Sequence, residues 1–199
     1  MKMNRLNLVC TLVGLAAIAG AETSASNPYS VSLGWNYLLD KTSADATHSS
    51  GYQGVLGYHF TNLGSLVGQA DTSLELSWAR NSGSGNKLDL FGLQAVARYP
   101  LSTGRAKSSR APYYGFGVGA SEDQFVYGHH TAPSDSSTLS RGINASSGVH
   151  SDSKVNFAGK VLLGLNFTKS AFVEAAYNYN GSVEGTTLTS LSLSAGWRF

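Results

Sequence analysis

One cysteine, four prolines and a charged fraction of 13% are the scarcities that narrow this 199-residue chain first. The cysteine, Cys10, lies in an apolar run near the N-terminus after Asn7-Leu8-Val9, which is not the small-residue context of a lipid-attachment site. If that run is removed no thiol remains, which excludes disulfides, cysteine metal sites and a cysteine nucleophile. The charged share is about half that of an ordinary soluble domain, which disfavours a charge-faced helical bundle and a disordered chain. Nothing suggests a nucleic-acid partner, which would want an extended basic surface. Beyond residue 21 no apolar run approaches the ~20 residues of a spanning helix, and no stretch sustains a 3.6-residue period.

The N-terminus reads as an export signal. Lys2 and Arg5 give the positive start, Leu6 to Ile18 the apolar run, and Ala19-Gly20-Ala21 the small-residue cleavage site. The expected organisation is a cleaved segment 1–21 followed by one domain, 22–199. Losing Lys2 and Arg5 takes the basic count from 14 to 12 against 12 acidic residues, so the mature chain is neutral.

The 23 glycines and 10 tyrosines sit in segments that alternate apolar and small or polar residues, separated by Gly-, Ser-, Asn- and Asp-rich links. Eight such segments are predicted as strands: 29–39, 51–60, 70–80, 88–101, 112–121, 155–167, 172–180 and 187–199. In the first, Tyr29, Val31, Leu33, Trp35 and Tyr37 oppose Ser30, Ser32, Gly34 and Asn36; in the fifth, Tyr114, Phe116 and Val118 oppose Gly115, Gly117 and Gly119. The apolar set is assigned to the outside and the small or polar set to the inside. With both termini at one end, Tyr29, Tyr58, Phe60, Tyr99, Tyr114, Phe167, Trp197 and Phe199 form one aromatic rim. Tyr37, Tyr52, Trp78, Phe91, Phe157, Tyr177 and Tyr179 form the other. Two rims around an apolar belt, an even strand count and links expected to be shorter at the end carrying the termini predict an all-β fold. It is an eight-stranded antiparallel up-and-down transmembrane β-barrel.

The last stretch, Thr187–Phe199, is expected to be the closing strand. Leu191, Leu193, Ala195, Trp197 and Phe199 alternate with Ser190, Ser192, Ser194, Gly196 and Arg198, and the chain stops while still paired. With the export signal and PYYGFGVGA at 112–120, this ending (SLSAGWRF, 192–199) resembles the small outer-membrane barrel superfamily of opacity-type adhesins, OmpX-like proteins and the OmpA transmembrane domain. The resemblance spans the mature chain. It implies a monomeric, cofactor-free protein in the outer membrane of a Gram-negative-type bacterium, in contact with lipid and lipopolysaccharide. It also implies that Leu193, Trp197 and Phe199 serve as a signal for the barrel-assembly machinery.

An eight-stranded barrel is just wide enough to be filled by its own side chains. Glu75, Arg98, Lys160, Glu174 and Arg198 are all assigned inward, and buried charges must pair. A salt-bridge network that plugs the lumen, with Arg198 joining Glu174, is expected; a narrow porin-like path for small solutes is the rival. Of the histidines, 48, 59, 129, 130 and 150, only His59 is not in an outer loop, and their spacing matches no zinc signature. Neither His48-Ser49-Ser50 nor His150-Ser151-Asp152 is placed beside a strand carboxylate on the outer wall, as lipid A modification would need. No enzyme activity, catalytic residue or metal site is therefore expected. The serine-rich loop 122–154 is either a surface for an extracellular partner or a shield, with Phe125, Val126 and Tyr127 prolonging the alternation of the fifth strand. Arg105, Lys107 and Arg110 are either a phosphate or peptidoglycan contact or a solvated turn.

Overall fold

The computed structural model describes residues 28–60, 70–83, 85–101, 111–127, 150–183 and 186–199. The expected export segment 1–21, His129, His130 and the expected turn with Arg105, Lys107 and Arg110 lie outside the described residues. Eight strands follow in chain order: β1 (Tyr29–Leu38), β2 (Ser50–Phe60), β3 (Asp71–Gly83), β4 (Asn86–Pro100), β5 (Ala111–Tyr127), β6 (His150–Asn166), β7 (Ala171–Val183) and β8 (Thr186–Arg198). Each pairs antiparallel with its neighbour in sequence, and β8 returns to β1, so the sheet is a closed barrel. At the seam Tyr29 and Phe199 exchange both backbone hydrogen bonds (3.1 and 2.9 Å).

Period-two alternation fixes the two faces of every strand. Leu33, Trp35, Val118, Leu163 and Leu193 project outward and are each more than half exposed, whereas Ser32, Gln94, Lys160 and Ser192 are buried inside. Exposed apolar residues girdling the waist of a barrel mark a lipid contact. Among the described residues no helix is long and apolar enough to cross a membrane; the crossing is made by strands. The rim at the end carrying Tyr29 and Phe199, called lower here, is knitted by ring contacts: Tyr29–Tyr58 at 5.4 Å, Tyr58–Phe60 at 5.1 Å and Tyr99–Tyr114 at 5.4 Å between centroids. At the upper rim Tyr52 meets Trp78 edge-on at 5.5 Å.

Three features sharpen the sequence reading. The link after β1 contains a helix, α1 (Lys41–Thr47), capped by Asp40, whose carboxylate accepts from the Ser43 N–H at 2.7 Å. Seven residues are too few to display a helical period, so the pattern gave no sign of it. Second, the links at the lower end are shorter on average, as expected, but the shortest single links are not there. The tightest links, 84–85 and 184–185, are at the upper end, while 61–70 and 101–110 separate strands at the lower end. Third, β5 runs to Tyr127, as the alternation of Phe125, Val126 and Tyr127 leads one to expect, whereas β6 starts already at His150, with Glu122 opposite Val155 and Tyr127 opposite His150. The wall is taller there than at the ten-residue β1.

Candidate functional site

Lysine, arginine and glutamate inside a filled barrel have no water to satisfy them, so each must find a protein partner. In the lower half of the lumen Arg98 of β4 lies between Glu75 of β3 and Glu174 of β7. Its Nη2 donates to Glu75 Oε1 in a very short contact, its Nε to Glu174 Oε1 at 2.7 Å and its Nη1 to Ser73 Oγ at 2.7 Å. Lys160 Nζ donates to the other Glu75 oxygen at 2.5 Å, and the Tyr113 hydroxyl to Glu174 Oε1 at 2.9 Å. Two cations therefore face two carboxylates, all four within a tenth of full burial. Gly164 is required here: a β-carbon on it would strike the Tyr113 ring that reaches Glu174. Val96, Tyr113 and Leu162 form an apolar flank beside the network.

Arg198 departs from its expected partner. It sits lower in the lumen, with Nη1 donating to Asn166 Oδ1 at 3.2 Å and Nη2 at 3.6 Å from Asp71 Oδ2. Its guanidinium carbon stacks 5.1 Å from the Phe172 ring. Arg198 Nε and Asp123 Oδ1 are the buried side-chain polar atoms without a hydrogen-bond partner among the described residues.

Above the network a cavity of about 30 Å³ is lined by Asn36, Gln94, Lys160, Glu174 and Asn178 among others, which is room for about two waters. Higher still the interior turns apolar. Leu38, Ala79, Leu88, Leu90, Phe125 and Leu188 pack into one buried cluster, with Ala44 of α1 resting on it. The lumen thus holds an ionic network below and a hydrocarbon cluster above.

Asp123 sits at the margin of this upper cluster. It pairs with Leu90, one step above the level at which Phe91 faces the outward-pointing Glu122, and so past the lipid belt. Asn156 Nδ2 donates to its Oδ2 at 2.7 Å, yet burial pushes its carboxyl up to about 7.

A further polar cluster occupies the lower mouth. His59 of β2 places Nδ1 at 2.9 Å from Asp71 Oδ1 and Nε2 at 3.0 Å from Ser30 Oγ. His59 alone was legible as an inward histidine. That Ser30 and Asp71 converge on it depends on the stagger of three strands, which alternation does not reveal; their shared inward face near the lower end was the available signal. Of the other described histidines, His48 ends α1 with φ 66°. Among the described residues no group of three His, Cys, Asp or Glu side chains is placed to hold a metal.

On the outer wall of the upper rim, Arg80 forms a two-point pair with Asp89 (2.6 and 2.8 Å) and lies over the Trp78 ring at 5.3 Å. The predicted assembly residues Leu193, Trp197 and Phe199 all point outward and are more than half exposed, and Phe199 stacks on Tyr29 at 6.1 Å.

No protein-family model matches the sequence, and no curated protein sequence matches it. Solved structures do. The N-terminal β-barrel domain of Pseudomonas aeruginosa OprF matches with a TM-score of 0.53 at 16% identity, over 87% of this chain and 98% of that one. Neisserial surface protein A (NspA) matches with a TM-score of 0.56 at 16% identity, over 86% and 96%. Ail, the attachment invasion locus protein of Yersinia pestis, matches with a TM-score of 0.50 at 14% identity, over 88% and 100%. At such identities the likeness speaks for architecture alone, and it agrees with the closed eight-strand order of the barrel. The chain has the fold of the small eight-stranded outer-membrane β-barrels.

Proposed function

We propose that this is a non-conducting barrel of the Gram-negative outer membrane whose role is structural or surface-interacting, exerted through its upper end. The observation that carries this reading is the pair of buried side-chain clusters standing one above the other in the lumen. The Arg98–Glu75–Glu174–Lys160 network fills one half and the Leu38–Leu88–Leu188 cluster beneath α1 fills the other. A solute would have to break buried ion pairs and then displace a packed apolar plug, and each costs several kcal/mol. The upper end offers what a surface role needs: a wall raised by the 17-residue strands β5 and β6, the two ends of region 122–154. NspA is named for the neisserial surface and Ail for attachment and invasion, which favours the same reading. A lipid A-modifying role would need serine, histidine and acid on the lipid-facing wall, whereas the Ser–His–acid contact formed by Ser30, His59 and Asp71 faces the lumen.

Purified protein in planar bilayers is expected to give no reproducible single-channel steps; steps abolished by charge substitutions at Arg98 would favour the porin-like alternative instead. Lipid and lipopolysaccharide are the expected neighbours of the apolar belt, and Leu193, Trp197 and Phe199 the expected contact for the assembly machinery. Deleting Phe199 should sharply reduce the heat-modifiable, folded form recovered from outer membranes, and unchanged recovery would remove that assignment.

A further inference from the structure

We propose that Ser30, His59 and Asp71 form a nucleophilic site at the lower mouth of the lumen that cleaves short-chain acyl esters. Three strands supply one residue each: β1 the serine, β2 the histidine and β3 the acid. With Nδ1–H donating to Asp71 (2.9 Å), the ring is held in the tautomer whose Nε2 lone pair accepts the Ser30 hydroxyl proton (3.0 Å). This is the order of contacts by which a serine is activated: acid orients base, base faces nucleophile.

The surroundings fit attack on a carbonyl rather than a purely structural hydrogen-bond chain. Gly57 lies opposite Ser30 in the β1–β2 ladder, and a β-carbon there would collide with the Ser30 hydroxyl. The missing side chain leaves the space that the hydroxyl occupies beside His59 Nε2. Across the barrel seam Ser30 is in register with Arg198. Because Tyr29 and Phe199 exchange both backbone hydrogen bonds, Ser30 and Arg198 form the neighbouring non-hydrogen-bonded pair, in which facing side chains approach most closely. The Arg198 Nε is buried without a hydrogen-bond partner among the described residues. An N–H left in that state costs free energy, and it is the donor that an oxyanion formed on the Ser30 adduct would meet. The Asp71 side chain is 42% exposed and opens the site to the lower side, while Ser30 and His59 lie just inside. Depth sets the substrate class. Phe172 and the Glu75–Arg98–Glu174 network are buried further in, which bounds the acyl group to a short one.

In the first step Ser30 Oγ bonds to the carbonyl carbon and its proton passes to His59 Nε2; the carbonyl oxygen becomes an oxyanion facing Arg198. Collapse breaks the carbon–oxygen bond to the leaving alcohol, which takes the proton from His59. Water repeats the sequence, its proton going to His59 and then to Ser30 as the acid leaves. Ser30, His59 and Arg198 act on the substrate, and Asp71 is a positioning residue.

The test uses the full mature chain folded in detergent micelles, with folding scored by heat-modifiable migration. A fluorophosphonate should add covalently to the wild-type protein, and peptide mass mapping should place the adduct on Ser30. Hydrolysis of p-nitrophenyl acetate should fall to the micelle background in Ser30→Ala. In Asp71→Asn, kcat should fall on the order of a hundredfold or more with KM little changed, a split that loosened packing alone would not produce. Folded wild-type protein with no adduct, or with the adduct elsewhere, overturns the proposal without reference to any variant, as does a folded Ser30→Ala that hydrolyses the ester at the wild-type rate.

Discussion

The two halves of the lumen are filled by opposite means, though one strand set walls both. Below, Arg98, Lys160, Glu75 and Glu174 balance charge for charge, and the closure depends on direction: each oxygen needs its donor. Above, Leu38, Leu88, Leu90, Phe125 and Leu188 close the bore by volume alone. The lower half spans the lipid belt, where the outside is already apolar and the inside must carry whatever fixes the register. The upper half stands past the belt, where both faces of the wall meet water unless the bore is packed like a soluble core. An ionic filling resists exchange of partners, and an apolar filling resists entry of water.

The sharpest way to break the contrast is to remove one ion. Arg98→Ala should cost about 3–5 kcal/mol in guanidinium unfolding of the folded barrel, because Glu75 and Glu174 lose their shared cation while remaining buried. A cost below about 1 kcal/mol would mean that water enters the lower half freely. Next in size, Leu88→Ala in the upper cluster should cost about 2–4 kcal/mol in the same titration, since Leu88 has no exposed surface to fall back on.

A smaller effect should appear as a pH slope. The Asp123 carboxyl is pushed up to about 7 by burial, from an unfolded value near 3.8. Between those values the folded barrel holds a proton that the unfolded chain has lost. Stability should therefore fall as pH rises from about 4 to about 7 and level off above, by roughly 1–2 kcal/mol after allowance for solvent screening. Asp123→Asn should flatten that slope, and chemical denaturation at pH 5 and pH 8 measures it. The least effect belongs to the outer wall. Breaking the Arg80–Asp89 pair by Arg80→Ala should cost about 0.2–1 kcal/mol in the same denaturation assay, because Arg80 is a third exposed.

The strand set was legible because a membrane barrel writes its two faces with period two, and Leu33, Trp35, Leu191 and Leu193 fall where alternation puts them. The inward charges were legible for the same reason. Which charge meets which was not: Arg98 and Glu174 are 76 residues apart, and their meeting depends on how the strands stagger around the barrel. The same stagger separates Arg198 from Glu174 and brings it to Asp71 instead. The apolar upper half was hidden by a different cause. Leu38, Leu88 and Leu188 share the parity of the polar lumen residues, so they interrupt the alternation rather than extend it. The seven residues of α1 lack an apolar stripe, and only the cap at Asp40 and Ser43 marks where it begins.

The unequal heights of β5, β6 and β7 have one more result. Within the belt every strand has two neighbours, but β6 meets β7 in register only from Gly159 to Asn166. Among the described residues, 150–158 therefore have a ladder partner on the β5 side alone. A barrel escapes edge-to-edge association by having no edge, and here one returns above the membrane. Its guards are local. Lys154 reaches across to the Ser182 carbonyl at 2.9 Å, and the register shift between Tyr179 and Ser182, with Gly181 at φ 87°, turns β7 over Asn156. A cation and a bulge are common means by which a sheet keeps a second chain from adding a strand. What leaves the wall tall enough to be presented also leaves it in need of that protection.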